Sequence, residues 1–238
     1  MDELEAQLRD LVVANRILAR EEVVDAYGHV SVRHPEHPDR YLLSCSRSPE
    51  LVTLDDIVEH TLEGDPVGAE TRTLYAERHI HGAVFEQRPD VQAVIHNHSL
   101  AVLPFTVTSV PLRPMFHTAA LMGNEVPVWD IRDNFGVTGM LVVNMDQGRD
   151  LARALGSHRA SLMRGHGCVV TGASVKEAVM CAIYLQVNAR LLLDSLPLGE
   201  VNYLLPGEVE ALRQNLLRPV SMDRAWEYWK MRAGCEHL

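Results

Sequence analysis

Helical and strand-like segments alternate along the whole chain, and no linker, repeat or low-complexity stretch separates them. Residues 2–20 carry apolar side chains at helical spacing, and 174–196 is the strongest helical segment, with Ser174 as its cap and Glu177 three residues later. This order predicts a sheet covered by helices on both faces. We therefore expect one α/β domain over 1–238, of which 200–238 form a C-terminal helical tail.

Composition excludes some classes of protein. The formal net charge is -10 and no cluster of basic residues opposes it, which disfavours a nucleic-acid partner. The N-terminus is charged from its second residue, unlike a signal peptide, and no apolar run looks long enough to cross a membrane. The four cysteines form no CxxC pair. We expect a reduced, cytoplasmic protein without a membrane partner.

Two histidines lie two residues apart in the segment AVIHNHSLAV (93–102). We predict a helix over 71–88 that ends before Pro89, then a strand over 91–98 that carries this pair. On a strand, His96 and His98 point to one face and Asn97 to the other, so the two imidazoles offer a rigid seat for a divalent metal. Two partly exposed histidines at a strand end are the alternative, which the pair alone leaves open.

Further candidate ligands lie elsewhere in the chain. His166 stands between Gly165 and Gly167, and flanking glycines allow close approach of the backbone. As a third ligand it would complete a three-histidine face with open positions, although a lone histidine there is also typical of a turn. Glu77 would share a helix face with His81, four residues later; by itself it reads as a surface carboxylate.

The chain resembles the class II aldolase/adducin family from its N-terminal helix to about residue 195. The resemblance rests on Glu77 followed by FEQRPDVQAVIHNHS and LMRGHGCVVTGASVKEA, in the family's order and spacing. It implies an α/β/α layered fold around a mostly antiparallel sheet. It also implies one divalent metal held by His96, His98 and His166, with Glu77 as a fourth ligand or the proton-transferring group. Members are commonly homotetramers with the active site between subunits.

Three stretches depart from the sugar-phosphate enzymes of the family. Those enzymes carry Gly-Asn-Val/Ile-Ser, a Thr-Gly phosphate loop, and a Ser-Ser pair before the acid. Here residues 28–31 read GHVS, 44–48 read SCSRS, and Tyr75-Ala76 precede the acid. Small groups that would contact a phosphate are therefore absent or replaced by bulkier ones. A phosphorylated sugar is an unfavourable substrate for this chain.

Other residues suit a carboxylate. His29 offers a donor and Arg47 a fixed cation, and a guanidinium can bind a carboxylate through two hydrogen bonds. PLRPMFH adds Arg113 and His117 shortly after the histidine pair. We expect these four residues to bind a small-molecule carboxylate substrate; ordinary surface charge is the alternative for the two arginines.

The set AYGHVSVR, SRSPELV, PLRPMFH and MRGHG resembles the decarboxylase branch of the family. The resemblance implies a divalent-metal-dependent decarboxylase of a hydroxylated aromatic or heteroaromatic acid, in aromatic compound catabolism. The metal (Zn, Mn, Fe or Co) would stabilise an enolate-like intermediate and Glu77 would transfer the proton.

Three other functions stay open at this point. One is a retro-aldol lyase that acts on a non-phosphorylated hydroxy-keto acid. Another is a non-catalytic adducin-like interaction domain, which would be expected to lack the metal histidines. A third is an iron-dependent oxidative decarboxylase on the same scaffold. The tail over 200–238, with two of the three tryptophans, is expected to pack on a neighbouring subunit or to cover the site.

Overall fold

One mixed sheet of seven strands, in the order β3-β2-β1-β4-β7-β6-β5, forms the middle of the computed structural model, which describes residues 2–238. Every neighbouring pair is antiparallel except β5 and β6. The strands are β1 (His29–Arg33), β2 (Arg40–Ser44), β3 (Ile57–Thr61), β4 (Ala93–Asn97), β5 (Val128–Trp129), β6 (Ala160–Met163) and β7 (Gly167–Gly172). The mostly antiparallel sheet predicted from the resemblance is confirmed.

Eight α-helices accompany the sheet within the described residues. They are α1 (Glu3–Arg20), α2 (Arg78–Gln87), α3 (Leu103–Thr106), α4 (Arg132–Phe135), α5 (Met145–Leu155), α6 (Val175–Ser195), α7 (Pro206–Leu216) and α8 (Pro219–Arg232). Short 3-10 turns lie at Pro49–Leu51, Leu54–Asp56, His117–Met122 and Leu196–Leu198.

Both faces of the sheet are buried, because side chains alternate between two apolar clusters. On β4, Ile95 packs in the cluster beneath α1 and α6, while its neighbour Val94 packs in the cluster beneath α2 and α5. On β1, Val30 and Val32 face α1 and α6. This alternation leaves the odd-numbered positions of β1 and the even-numbered positions of β4 on the α2 face. The three-layer α/β/α arrangement is therefore confirmed.

Helix α6 begins as predicted. The Ser174 hydroxyl accepts the N–H of Glu177 at 3.2 Å, while the Glu177 carboxylate pairs with Arg159 instead of returning to the cap. The 24-residue helical segment Val175–Leu198 is long and apolar enough to cross a membrane by length and composition. The expectation that no run reaches that length was therefore wrong. Here the segment packs against the sheet, α1 and α8.

The helix predicted over 71–88 begins only at Arg78. The Glu70 carboxylate accepts the N–H groups of the next two residues, which holds that stretch in a non-helical turn. Glu77 is the residue before the first helical turn, with φ -90° and ψ 16°. It therefore does not share a helix face with His81, and the expected i,i+4 pair was wrong.

The C-terminal tail packs on its own chain. Helix α8 lies against α6 and α1, and this contact buries Trp226 and Trp229. Tyr184 of α6 faces Trp229 with ring centres 5.9 Å apart. The tail thus completes the core beneath α1 and α6. The expectation that it packs on a neighbouring subunit is not needed to account for its buried tryptophans.

Candidate metal centre

Four side chains from three distant segments converge at one end of the sheet. Glu77, His96, His98 and His166 offer ligand atoms that all lie within 4.8 Å of one another. His96 is in β4 and His98 follows it directly, while His166 is in the tight turn between β6 and β7. Because β4 and β7 are antiparallel neighbours, the end of one lies beside the start of the other.

Backbone carbonyls fix the rings of two of the histidines. His96 donates from Nδ1 to the carbonyl of Cys168 at 3.1 Å, and His166 donates from Nδ1 to the carbonyl of Met140, also at 3.1 Å. A carbonyl can only accept, so each Nδ1 carries a hydrogen, and in the neutral ring Nε2 then keeps the lone pair that a metal needs. Metal-binding histidines are usually oriented by such a bond from the other ring nitrogen.

The donor set fits a divalent cation. Nε2 of His96 lies 3.0 Å from Nε2 of His98, and Glu77 Oε2 lies 3.4 Å from Nε2 of both His96 and His166. Lone pairs and a carboxylate at these separations repel each other unless a positive charge lies among them. Ligands about 2.0–2.1 Å from a tetrahedral zinc are roughly 3.3 Å apart, close to the observed spacings.

The remaining groups are in the ionisation state that a metal requires. Burial, followed by repulsion from His96 and His166, lowers the pKa of His98 to about 4, so this ring is neutral at pH 7. Burial raises the pKa of Glu77, but the adjacent rings of His96 and His166, which favour its charged form, lower it more, and the pKa lies below its usual range. Glu77 is therefore a carboxylate at neutral pH.

Glu77 and His166 are also held by one backbone segment, residues 138–142. The N–H of Val142 donates to Glu77 Oε1 at 3.0 Å, which leaves Oε2 towards the histidines. Met140, whose carbonyl binds His166, has a φ of +67°, a conformation that non-glycine residues rarely adopt. Sequence reasoning missed this segment because it acts through backbone groups, which no side-chain pattern reveals.

A cavity of about 450 Å³ is lined by two of the four ligand residues, Glu77 and His98. His29 and Arg47, two of the predicted substrate-binding residues, both line it. The lining residues are Ala26, Tyr27, Gly28, His29, Ser46, Arg47, Ser48, Tyr75, Ala76, Glu77, His98 and Leu141. None of residues 200–238 is among them. In a single chain the C-terminal tail therefore does not cover this cavity, although the sequence analysis gave covering the site as one of two possible roles of the tail.

Arg47 is only partly committed to protein partners. Its Nε donates to the Leu51 carbonyl at 2.8 Å and lies 3.2 Å from the Asp56 carboxylate. Its side chain is 45% exposed. The Tyr75 hydroxyl anchors the same loop, because it donates to the Arg47 carbonyl and accepts the Arg47 N–H. The terminal nitrogens of the guanidinium can therefore still meet a carboxylate in the cavity.

Arg113 and His117 lie outside this cavity. The Arg113 guanidinium lies 4.5 Å from the centre of the Tyr203 ring and lines a separate cavity of about 520 Å³. His117 is exposed and packs edge-on against Phe116 at the start of a 3-10 turn. A single chain thus does not bring these two residues to the metal ligands, and their role in substrate binding stays a prediction.

A buried polar chain lies behind the cavity. His29 Nδ1 is 2.6 Å from His81 Nε2, and His81 Nδ1 is 2.5 Å from the hydroxyl of Ser31. Burial, followed by repulsion between the neighbouring imidazoles, lowers the pKa of His29 and of His81 well below its usual value. His81 therefore faces β1, and it is not a ligand candidate beside Glu77.

Known proteins resemble this chain in sequence or in structure. A decarboxylase from Talaromyces stipitatus named tropJ is 34% identical, over 93% of this chain and 92% of its own. A 3,4-dihydroxyphthalate decarboxylase from Terrabacter sp. is 30% identical, over 95% of this chain and 97% of its own. The structure of L-fuculose 1-phosphate aldolase from Glaciozyma antarctica superposes with a TM-score of 0.78 at 23% identity, over 98% of this chain and 91% of that one.

The two relatives are decarboxylases by name, and decarboxylases are lyases, which confirms the expectation that this chain is an enzyme of the lyase class. The non-catalytic alternative is thereby disfavoured. The family described as Class II Aldolase and Adducin N-terminal domain matches residues 9–193. The chain belongs to this family.

Proposed function

We propose that this protein is a divalent-metal-dependent decarboxylase of a hydroxylated aromatic or heteroaromatic carboxylic acid. The observation that carries the proposal is the convergence of three imidazole nitrogens and the Glu77 carboxylate beside a cavity that His29 and Arg47 also line. The names of the two decarboxylase relatives support the type of reaction. His96, His98 and His166 would hold the metal, with zinc and manganese as the first candidates.

The chemistry divides between the metal and the side chains. A bound divalent cation would act as a Lewis acid towards a substrate oxygen next to the departing carboxylate. When the bond to that carboxylate breaks, its electron pair stays on the ring carbon and CO₂ leaves. Glu77, a carboxylate at the edge of the cavity with one oxygen held by the Val142 N–H, would accept the proton of the substrate hydroxyl and pass it to that carbon. His29 and Arg47 would hold the substrate's carboxylate or hydroxyl groups.

The test is product analysis with zinc-loaded, manganese-loaded and iron-loaded protein. A panel of hydroxylated aromatic acids, with 3,4-dihydroxyphthalate included, would be incubated with the protein under air and under argon. We expect metal-dependent release of CO₂ that does not need oxygen. Release that requires oxygen would instead indicate the iron-dependent oxidative reaction. A protein that binds metal but turns over none of the acids would contradict the proposed substrate class.

Retro-aldol cleavage of a non-phosphorylated hydroxy-keto acid is the second candidate. The aldolase fold match favours it, since a Lewis acid and a proton-transferring carboxylate serve both reactions. A phosphorylated substrate is disfavoured by the loop at Arg47, where the Tyr75 hydroxyl already accepts the backbone N–H. Formation of an aldehyde without CO₂ would identify this reaction.

Assembly and location complete the proposal. We propose a homotetramer with the cavity at a subunit interface, supported by large apolar side chains on the surface: Val137 is 98% exposed and Leu100 is 81% exposed. Light scattering coupled to gel filtration would give the number of subunits, and a monomer would contradict it.

We propose the cytoplasm as the location because all four cysteines are free and buried. Cell fractionation tests this.

A further inference from the structure

The polar chain behind the cavity has an unusual geometry. His29, His81 and Ser31 are almost fully buried, at 3%, 0% and 0% exposure. The His29–His81 contact is 2.6 Å and the His81–Ser31 contact is 2.5 Å. Among residues 2–238, no protein group bonds the other ring nitrogen of His29, Nε2, and the ring borders the cavity. The chain thus runs from a strand interior to the substrate space.

Only one hydrogen fits between the two rings. At 2.6 Å, one nitrogen must donate and the other accept, and a neutral imidazole carries one N–H. In the first arrangement, Ser31 donates to His81, His81 donates to His29, and Nε2 of His29 carries a hydrogen towards the cavity. In the second arrangement every bond is reversed, and Nε2 of His29 presents a lone pair.

Packing prevents the His29 ring from flipping, so the ring must adopt one of these two hydrogen-bond arrangements. Its ring lies 4.5 Å from the Tyr75 ring centre and 5.1 Å from the His96 ring centre, and Nδ1 faces away from the cavity. The hydroxyl of Ser31 can donate or accept, so it is compatible with both arrangements. An alanine in place of Ser31 would leave Nδ1 of His81 buried without a hydrogen-bond partner.

We propose that His81 and Ser31 are positioning residues that couple the tautomers of His81 and His29, so that His29 meets a carboxylate as a hydrogen-bond donor. His29 donates from Nε2 to a substrate carboxylate in the first arrangement and accepts from a substrate hydroxyl in the second. The ligand class rests on the proposed function, but the coupling of the tautomers does not.

The test is a long-range ¹H–¹⁵N spectrum of zinc-loaded protein labelled with ¹⁵N-histidine, which distinguishes Nδ1–H from Nε2–H rings. We expect His29 and His81 to have the same tautomer in the free protein. Saturation with salicylate, a hydroxylated aromatic carboxylate, should bring both rings to Nε2–H. Different tautomers on the two rings, or an imidazolium at either one, would overturn the proposal.

The two parts can fail separately. If the tautomers match but salicylate does not bind, the proposed substrate class is wrong and the coupling stands. If salicylate binds and the tautomers differ, the coupling is wrong and the substrate class stands. The free-protein spectrum needs no variant, so the test does not depend on a substitution that folds.

Two variants of Ser31 distinguish a role in positioning the histidine rings from a general effect on the structure. Ser31→Ala removes the hydroxyl and should weaken salicylate binding about tenfold, the effect of one buried hydrogen bond. Ser31→Thr keeps the hydroxyl and should restore most of that affinity. Zinc affinity, measured by competition with a fluorescent chelator, should stay within about threefold in both. Equal salicylate affinities in the alanine and threonine variants would contradict the role of Ser31.

Discussion

Nε2 of His96 lies 3.0 Å from Nε2 of His98. Since the Nδ1 hydrogen of His96 is committed to the Cys168 carbonyl, this short contact brings the His96 lone pair against a second ring that burial keeps neutral. Without a cation this contact can hold one hydrogen, donated by Nε2 of His98, whereas a bound cation would instead take the lone pairs of both nitrogens. The fold thus places these two rings at a separation that suits two ligands of one metal ion.

Zinc should stabilise the folded protein. At a free zinc concentration of a thousand times Kd, the free energy of unfolding should rise by about 4 kcal/mol relative to chelator-treated protein. His96→Ala should abolish this rise together with the bound metal and the activity. His237→Ala, a change at an exposed histidine near the C-terminus, should keep all three. Urea unfolding with and without zinc measures the effect; equal stabilities for the two wild-type samples would contradict the metal site.

Glu77→Gln should separate metal binding from turnover. The glutamine can still accept the Val142 N–H, and three histidines remain, so most of the bound metal should be kept. The amide cannot carry the proton, and kcat should fall by about 10²–10⁴-fold. Metal analysis and steady-state kinetics on the same preparation test this. A variant that loses metal and activity in parallel would instead show that Glu77 serves mainly as a ligand.

The histidine pair could be predicted because strand periodicity is local. Residues two apart on a strand point to the same face, and the ring nitrogens of His96 and His98 do lie together. His98 falls just beyond the last strand residue, Asn97, without losing this orientation. The position of His166 could not follow from periodicity; it depends on the antiparallel pairing of β4 with β7, which the family resemblance supplied.

The remaining parts of the site depend on long-range contacts. Met140 and Val142 orient ligands through backbone groups, so their side chains give no signal. The late start of helix α2 depends on the bonds of Glu70 to the backbone, which compete with helix formation. Arg113 follows the histidine pair closely in sequence, yet it stacks on Tyr203 of the tail segment, which sequence distance does not predict.

Gly167→Ala should damage the site through the backbone. A Cβ at Gly167 would lie 2.1 Å from the Asn97 carbonyl oxygen, where strands β4 and β7 meet between two ligands. The strands would have to separate, and the free energy of unfolding should fall by about 2–4 kcal/mol. Zinc affinity should fall with it because His166 moves.

Gly139→Ala is the matched control. A Cβ at Gly139 has no neighbour within 4 Å, and the residue lies in the segment that contacts His166 and Glu77. Its stability and zinc affinity should stay close to the wild type. Chemical denaturation and zinc competition on both variants compare them directly. A well-tolerated alanine at 167 would mean that the two strands do not approach as closely as described.

His60 should make stability depend on pH, independently of the metal ligands. Its ring stacks on Tyr41 with centres 5.0 Å apart, and its Nδ1 donates to the Val58 carbonyl at 3.1 Å. Within residues 2–238, its buried Nε2 has no hydrogen-bond partner. Burial lowers the pKa of His60 from 6.5 to about 4. Between these values the unfolded chain binds a proton that the folded chain does not, so stability falls as the pH decreases.

His60→Phe should remove this contribution while keeping an aromatic ring against Tyr41. Between pH 7.5 and pH 4, the free energy of unfolding of the wild type should fall by roughly 3 kcal/mol more than that of the variant, at about 1.4 kcal/mol per pKa unit. Urea unfolding of chelator-treated protein across this range measures the difference, with the exposed His237→Gln as the control. Parallel pH profiles for the wild type and His60→Phe would show that His60 gains a proton in the folded state as readily as in the unfolded one.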